Sequence, residues 1–207
     1  MSSTPRISVA IPLYYCDTDL FLPINNCLFA LQDHYPEFEI IVIDDCSPLE
    51  PYHQWLITSS NSQNLGFTAT VNRGMSLASG DIIIVLNDDI TVQAGQLDRF
   101  LHLDPLAPTI ASPADTASSN DDRFGACWGI TRSAYELLGP LNETYKNFFS
   151  DLDYYERAKA RGVTIIKWED IVLEHPESST FKLLNKSKLL EEDQKAYELK
   201  QNPEVYL

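Results

Sequence analysis

Residues 78–89 read ASGDIIIVLNDD. They contain the uninterrupted apolar run IIIVL (82–86), which is followed by Asn87 and two adjacent aspartates. A second stretch, EIIVIDD at residues 39–45, has the same design. Short apolar runs that are rich in β-branched residues and lack polar alternation are typical of strands buried on both faces, as in a parallel sheet covered by helices. The two stretches therefore predict parallel strands of one α/β sheet.

The segments around these strands predict a doubly wound domain. Residues 6–13 form a further apolar run, and the spacing of apolar residues predicts helices over 20–32 and 67–79. For the second half we expect a long loop over 104–125 with a short strand at 109–112, helices over 133–138, 151–161 and 181–201, and strands at 163–167 and 170–174. The prediction is one domain over residues 1–180, with helices on both faces of a mostly parallel sheet and a C-terminal helical appendage over residues 181–207.

Composition excludes several classes of partner. The 207 residues hold 15 Lys and Arg against 30 Asp and Glu, a formal net charge of −15. A chain this acidic repels nucleic acid and anionic membranes, and its longest apolar runs are too short to span a bilayer. The cysteines Cys16, Cys27, Cys46 and Cys127 have no paired spacing and lie in or beside apolar stretches, which predicts reduced, buried thiols. With no signal peptide evident, we expect a cytoplasmic protein.

Two carboxylate pairs follow the two best predicted strands. Asp44-Asp45 closes one strand and Asp88-Asp89 closes the other. The carboxyl ends of parallel strands meet at one edge of a sheet, where α/β proteins bind ligands. Aspartates also end strands and begin turns without any ligand, which is the preferred interpretation for either pair alone. Both pairs together would repel each other unless a cation or hydrogen-bond donors lie between them, and a site for Mg²⁺ or Mn²⁺ is the favoured interpretation.

Further motifs, taken in order, resemble those of family 2 nucleotide-sugar glycosyltransferases. VIDDCS (42–47) is similar to their V-V-D-D-G-S segment, and NLGFTATVNRG (64–74) followed by residues 78–89 is similar to N-x-G-x-x-x-x-x-N-x-G…A-x-G-D…D. The acceptor-side segment of the family is similar to GACWGITRSAYELLGPLNETY (125–145). Its E-D-x-D segment is similar to FFSDLDYYERAKARG (148–162), and its late histidine to that of LEH (173–175). The resemblance covers most of the chain and implies a single GT-A (Rossmann-like) domain and a metal-dependent inverting glycosyltransferase.

The resemblance also implies roles for individual residues. Asp151 falls at the position of the catalytic base, Asp89 at that of the principal metal ligand, and His175 joins the metal or diphosphate in some members. The ion would be Mn²⁺ or Mg²⁺. Contacts with the nucleotide sugar are implied for Pro12, Asp44, Asp45, Asn64, Gly66, Asn72, Arg73, Asn87 and Asp88. The donor would be a UDP-, GDP- or dTDP-sugar, and the acceptor a hydroxyl group of a glycan or glycoconjugate.

The chain departs from the family pattern at three positions. Asn87 stands at the first acid of D-x-D, Ser150 replaces the Glu of E-D, and Asn142 replaces the usual Asp of G-x-F-D-E. Asp151 and Glu143 remain as the acids of the last two motifs. These changes affect individual substrate contacts more than the chemistry.

Three candidate residues also have simpler interpretations. Ser150 and Asp153 have the S-x-x-D spacing of a capping box, so Asp151 could be only an acid of the first helical turn; we assign the capping to Asp153 and the base to Asp151. The Trp128 ring could stack on an acceptor sugar or pack in the core. His175 by itself is more often a structural histidine.

Two other functions stay open at this point. A receiver-like signalling domain also carries an acidic pair and a further Asp, but it needs the pair after the first strand and a late lysine, for which Lys167 is the candidate here. A catalytically silent module that binds a nucleotide sugar would share every binding motif. Phosphorylation by a small phosphodonor distinguishes the first alternative, and ligand binding without turnover the second.

Overall fold

The strands and helices are those of a layered α/β domain. The computed structural model describes residues 5–50, 56–115, 124–175 and 186–201. The strands are β1 (Ile7–Leu13), β2 (Glu39–Asp44), β3 (Ile57–Ser60), β4 (Ile82–Leu86), β5 (Thr109–Asp115), β6 (Cys127–Thr131) and β7 (Thr164–Leu173). The helices are α1 (Phe21–His34), α2 (Phe67–Leu77), α3 (Arg132–Leu138), α4 (Ser150–Ala160) and α5 (Lys186–Gln201), with 3-10 helices at Thr18–Leu20 and Asp98–His102.

One sheet contains all of these strands. Their order is β3-β2-β1-β4-β6-β5-β7. β1 pairs in parallel with β2 and β4, β2 with β3, and β5 with β7, whereas β6 runs antiparallel to both β4 and β5. This confirms the predicted mostly parallel α/β sheet. Because β1, β2 and β4 are parallel neighbours, the chain leaves all three at the same edge.

Helices cover both faces of the sheet, as predicted. Successive residues of β4 point to opposite faces: Ile82 and Ile84 join the core that α1 covers, and Ile83 and Val85 join the core that α2, α3 and α4 cover. All residues of β4 are buried. Complete burial explains why this segment has no polar alternation in the sequence.

Several boundaries differ from the sequence predictions. β3 and β6 were not predicted, because ITSS is short, half polar and at the sheet edge, and CWGIT contains a glycine. β5 is longer than the short strand predicted inside a loop, and the two strands predicted over 163–174 are one strand whose pairing with β5 is irregular. The predicted helix over 181–201 begins at Lys186 among the described residues, since 181–185 lie outside them.

The prediction that all four cysteines are buried is correct for only two of them. Cys27 and Cys127 are buried, but Cys16 is half-buried and Cys46 is exposed. Cys46 follows the end of β2 and has a left-handed backbone (φ 57°), at the position where the family pattern has glycine. Its place outside the strand explains its exposure. No helix among the described residues has the length and apolarity needed to cross a membrane.

Gly129 in β6 allows a close approach of the 3-10 helix at Asp98–His102. A Cβ atom added at Gly129 would lie 2.6 Å from Cδ1 of Phe100, and the Phe100 ring is fully buried with Trp168 against its edge. The ring therefore has no free space into which it could move. Gly129 is required by packing rather than by backbone conformation.

Gly129→Ala is expected to lower the free energy of unfolding by about 1–3 kcal/mol, because the new methyl group overpacks the core. Denaturant unfolding measures the change. Phe100→Leu, which removes ring atoms at the contact, should recover part of the loss when it is combined with Gly129→Ala. Unchanged unfolding of Gly129→Ala would contradict the proposed contact.

Candidate active site

The ends of β1, β2 and β4 are tied together by hydrogen bonds at the carboxyl edge of the sheet. The Asp45 amide donates to the Leu13 carbonyl (2.8 Å), and the Tyr14 amide donates to Oδ2 of Asp88 (3.3 Å). The last residue of β1 and the residue after it thus contact one acidic pair each. The sheet brings the two pairs to one place, as the parallel topology requires.

Asp45 organises the start of α2. It is 4% exposed, and its carboxylate accepts hydrogen bonds from the amides of Leu65 (2.8 Å) and Gly66 (2.9 Å) and from the side chain of Asn61 (2.8 Å). Gly66 has a φ of 88°, which favours glycine, and a Cβ there would lie 2.9 Å from the carbonyl oxygen of Lys146. Asp45 therefore shapes the pocket through α2, and its contact with a nucleotide stays a prediction.

Asp89 and His175 form a buried pair at this edge. Oδ1 of Asp89 lies 3.3 Å from Nε2 of His175, and both side chains are less than a tenth exposed. His175 reaches this place because the chain after β7 is held to the chain after β4, where the Thr91 amide donates to the Glu174 carbonyl (3.2 Å). Two residues far apart in sequence, singled out as metal ligands, are therefore neighbours.

Asp88 has an unusual environment beside this pair. It is 7% exposed, and burial together with the charge of Asp89 raises its pKa to about 8, against smaller opposing effects of the Tyr14 amide and His175. Protonation of Asp88 is therefore easier in the free protein than protonation of an ordinary carboxylate. A bound cation would oppose this protonation, since positive charge stabilises the carboxylate.

The donor set fits an ion that is shared with a substrate. Within the described part of the chain, no group of three or more His, Cys, Asp or Glu side chains is arranged to hold a metal ion. Mg²⁺ is usually bound through one or two carboxylates together with substrate phosphates, and carboxylate and imidazole ligands also suit Mn²⁺. The Oδ1 atom of Asn87 is buried and has no hydrogen-bond partner there either, which leaves an acceptor available to a ligand.

Two other predicted donor-site residues hold protein segments together. The Arg73 guanidinium donates to the Ser60 carbonyl (2.8 Å) and to Oδ1 of Asn61 (2.7 Å), behind Asp45. The Asn72 side chain donates to the Leu141 carbonyl (2.9 Å) and accepts from the Leu141 amide (2.8 Å). These positioning contacts were not predicted. Contacts of Arg73 and Asn72 with a donor stay predictions.

Asn64 and Pro12 lie at the same edge. Asn64 is exposed, and its side-chain amide donates to the Asp45 carbonyl at 3.5 Å. Pro12 is half-buried in β1, where it pairs in register with Ile43 of β2. Both are accessible from solvent, and their roles also stay predictions.

Asp151 is the second residue of α4 and is half-buried. The capping-box prediction for Ser150 and Asp153 is wrong: the N-cap is Phe149, in a left-handed conformation without a side-chain cap. The Asp153 carboxylate instead accepts from Arg157 (2.9 Å) and Lys200 (2.9 Å). Asp153 is therefore bound by two cations rather than capping the helix, and Asp151 is an acid of the first turn. The role of Asp151 as the base stays a prediction.

The Trp128 ring is buried, which favours core packing among the two interpretations of this residue. The residue is 3% exposed in β6, and its ring packs against Phe124 (5.3 Å between centroids) and Tyr154 (5.7 Å). Contact of this ring with an acceptor sugar stays a prediction. Trp128 contributes to the core beneath α4.

Comparisons with known proteins agree with this architecture. A family model described as Glycosyl transferase family 2 matches residues 8–104, whereas no curated protein matches. The chain is similar to the mannosyltransferase PcManGT from Pyrobaculum calidifontis, solved in complex with GDP-Man and Mn²⁺, with a TM-score of 0.68 and 17% identity over 95% of this chain. It is also similar to S. aureus TarS 1-349, with a TM-score of 0.64 and 15% identity over 82% of this chain.

These findings confirm the GT-A fold and the resemblance to family 2 glycosyltransferases that the motifs indicated. The family match includes β1, β2 and β4 with both acidic pairs. At such identities the structural likeness shows the fold. The chain covers 65% of PcManGT and 60% of the TarS structure, less than two thirds of either.

Asp45→Ala is expected to lower the free energy of unfolding by about 3 kcal/mol, because the amides at the start of α2 lose a charged acceptor and stay buried. The neighbouring Asp44 is a matched control. It is half-buried and accepts a hydrogen bond from the Ser47 amide (3.2 Å), so Asp44→Ala should cost about 1 kcal/mol or less. Equal losses in denaturant unfolding would contradict the special role of Asp45.

Proposed function

We propose that this chain, whose first half matches the family 2 model, is a metal-dependent inverting glycosyltransferase that uses a nucleoside-diphosphate sugar. The observation that carries the proposal is the buried pair of Asp89 and His175, 3.3 Å apart. The pair lies beside Asp88, whose pKa is raised by burial and by the charge of Asp89. It also lies beside Oδ1 of Asn87, which has no hydrogen-bond partner among the described residues. These groups favour a ligand that supplies positive charge to the carboxylates and a hydrogen-bond donor to Asn87.

The donor would bind over the carboxyl edge of β1, β2 and β4. Asp89 and His175 would hold Mn²⁺ or Mg²⁺, which, when bound, offsets the negative charge that develops on the departing diphosphate. Asp44 is half-buried near the end of β2 and would contact the base or ribose. The complex of PcManGT with GDP-Man and Mn²⁺ supports this class of donor and ion.

Asp151 would act as the general base toward the acceptor hydroxyl. It lies in the first turn of α4, where the helix macrodipole favours a negative charge. In an inverting transfer the carboxylate removes the proton of the incoming hydroxyl on the face of the sugar opposite the leaving group. The acceptor hydroxyl would belong to a glycan or a glycoconjugate.

The charge balance of the chain is consistent with this proposal. The 30 Asp and Glu outnumber the 15 Lys and Arg, so the charge of the protein as a whole repels a diphosphate. The guanidinium of Arg73, the basic residue of the predicted donor segment, donates to Ser60 and Asn61. Donor binding should therefore depend strongly on the divalent ion.

The test is transfer or hydrolysis from a panel of UDP-, GDP- and dTDP-sugars, with and without Mn²⁺. Asp89→Ala should reduce turnover by about 100-fold or more, because charge stabilisation in the transition state is lost. Asp151→Asn should reduce kcat by about 100-fold or more with little change in the donor KM, because the amide cannot accept a proton. Asp33→Asn, at a carboxylate that is 83% exposed on α1, is the control and should match the wild type.

The outcomes separate the alternatives. Wild-type turnover that survives either active-site substitution would refute the role assigned to that residue. Calorimetric binding of a nucleoside diphosphate without turnover against any acceptor would instead support a silent binding module. Phosphorylation by a small phosphodonor would favour the receiver-like alternative.

A further inference from the structure

The C-terminal helix α5 inserts a buried carboxylate into the segment that precedes the candidate base. Asp193 is 3% exposed. Its Oδ1 accepts from the Lys146 amide (2.9 Å), and its Oδ2 accepts from the amides of Asn147 (2.8 Å) and Phe148 (2.9 Å). Hydrogen bonds from amides to a carboxylate are stronger than those between neutral groups. One side chain of α5 thus satisfies three successive backbone donors of another segment.

These amides lie in the loop of residues 139–149, which connects α3 with α4 and leads directly to Asp151. The loop ends at Phe149, whose left-handed backbone (φ 64°) turns the chain into α4. The Phe149 ring stacks on Tyr197 of α5, with centroids 5.1 Å apart. Both the backbone before this turn and the side chain at the turn are therefore fixed by α5.

The opposite side of the 139–149 loop contacts the donor side of the candidate site. The Lys146 carbonyl accepts from the Thr68 amide (2.9 Å), and Oδ1 of Asn147 accepts from the Phe67 amide (3.3 Å). These donors follow Gly66, whose own amide binds Asp45. The loop is therefore held between the start of α2, which Asp45 organises, and Asp193.

A second group of contacts attaches α5 to α4. Nζ of Lys200 lies 2.9 Å from both Asp153 and Glu156, and the Tyr197 hydroxyl donates to Glu156 (2.6 Å). Burial by itself would lower the pKa of Lys200, but the bonds to Glu156 and Asp153 raise it. These contacts do not depend on Asp193, so a substitution at Asp193 can release the loop while α5 stays attached.

We propose that Asp193 is a positioning residue for Asp151, and that α5 is a working part of the acceptor side of the site rather than an appendage. This inference rests on the proposed function, in which Asp151 is the base. Asp193 holds the backbone before α4 so that the Asp151 carboxylate faces the acceptor hydroxyl at the start of the reaction. A displacement of about 1 Å at a reacting group can cost about 100-fold in rate.

Asp193→Asn tests the proposal, because it keeps the shape of the side chain and removes its charge. Glu191→Gln on the same helix is the matched control, since Glu191 is exposed and pairs with Lys195. The expected result for Asp193→Asn is a fall of at least about 10-fold in kcat for transfer with the donor KM within about twofold. Amide hydrogen exchange in residues 146–148 should accelerate about 10-fold or more. Glu191→Gln should change neither quantity.

Three outcomes would overturn the proposal. The first is wild-type kcat in Asp193→Asn, and the second is a fall in activity that matches the folded fraction measured by thermal unfolding. The third is unchanged hydrogen exchange at residues 146–148. If the wild type transfers no sugar, the proposed function fails by itself, and the exchange experiment still decides whether Asp193 orders the loop. Faster exchange in Asp193→Asn alone then supports the positioning of the loop.

Discussion

The burial of carboxylates at one edge of the sheet is the constraint on which the rest of the structure depends. An ionised side chain that leaves water must find donors or positive charge, or it takes up a proton. Asp45 finds the amides at the start of α2, and Asp193 finds those of residues 146–148. Asp88 finds less compensation, and its pKa is raised by burial and by the charge of Asp89. The compensated carboxylates hold backbone segments in place, and the proposed function assigns Asp88 and Asp89 to ligand binding.

The two carboxylates that accept backbone hydrogen bonds, Asp45 and Asp193, act on segments that contact each other. Asp45 fixes the start of α2, the start of α2 contacts the 139–149 loop, and Asp193 fixes that loop from the other side. The donor side and the acceptor side of the proposed site therefore share one set of backbone hydrogen bonds. A chain with a net charge of −15 uses part of its excess acid as acceptors for its own backbone, and in the proposed function another part binds a divalent ion.

Sequence patterns predicted the elements whose signals are local. β1, β2, β4 and the helices α1 and α2 follow from apolar runs and helical spacing, and the acidic pairs mark the edge at which they end. The edge strand β3 and the glycine-containing β6 lack such signals. Burial of Trp128 and exposure of Cys46 depend on neighbours distant in sequence. The sequence contains one signal for the burial of Asp193. This residue lies at helical spacing from Leu189, Leu190 and Tyr197, on the side of α5 that faces the protein.

The most direct test of the central claim is a crystal structure with a nucleoside diphosphate and Mn²⁺, with the ion located by its anomalous scattering. We predict a single Mn²⁺ peak within about 2.5 Å of a carboxylate oxygen of Asp89, in contact with the diphosphate and next to His175. The nucleoside should lie over the ends of β1 and β2. A nucleotide bound elsewhere, or bound at this edge while Mn²⁺ is absent from Asp89, would contradict the account.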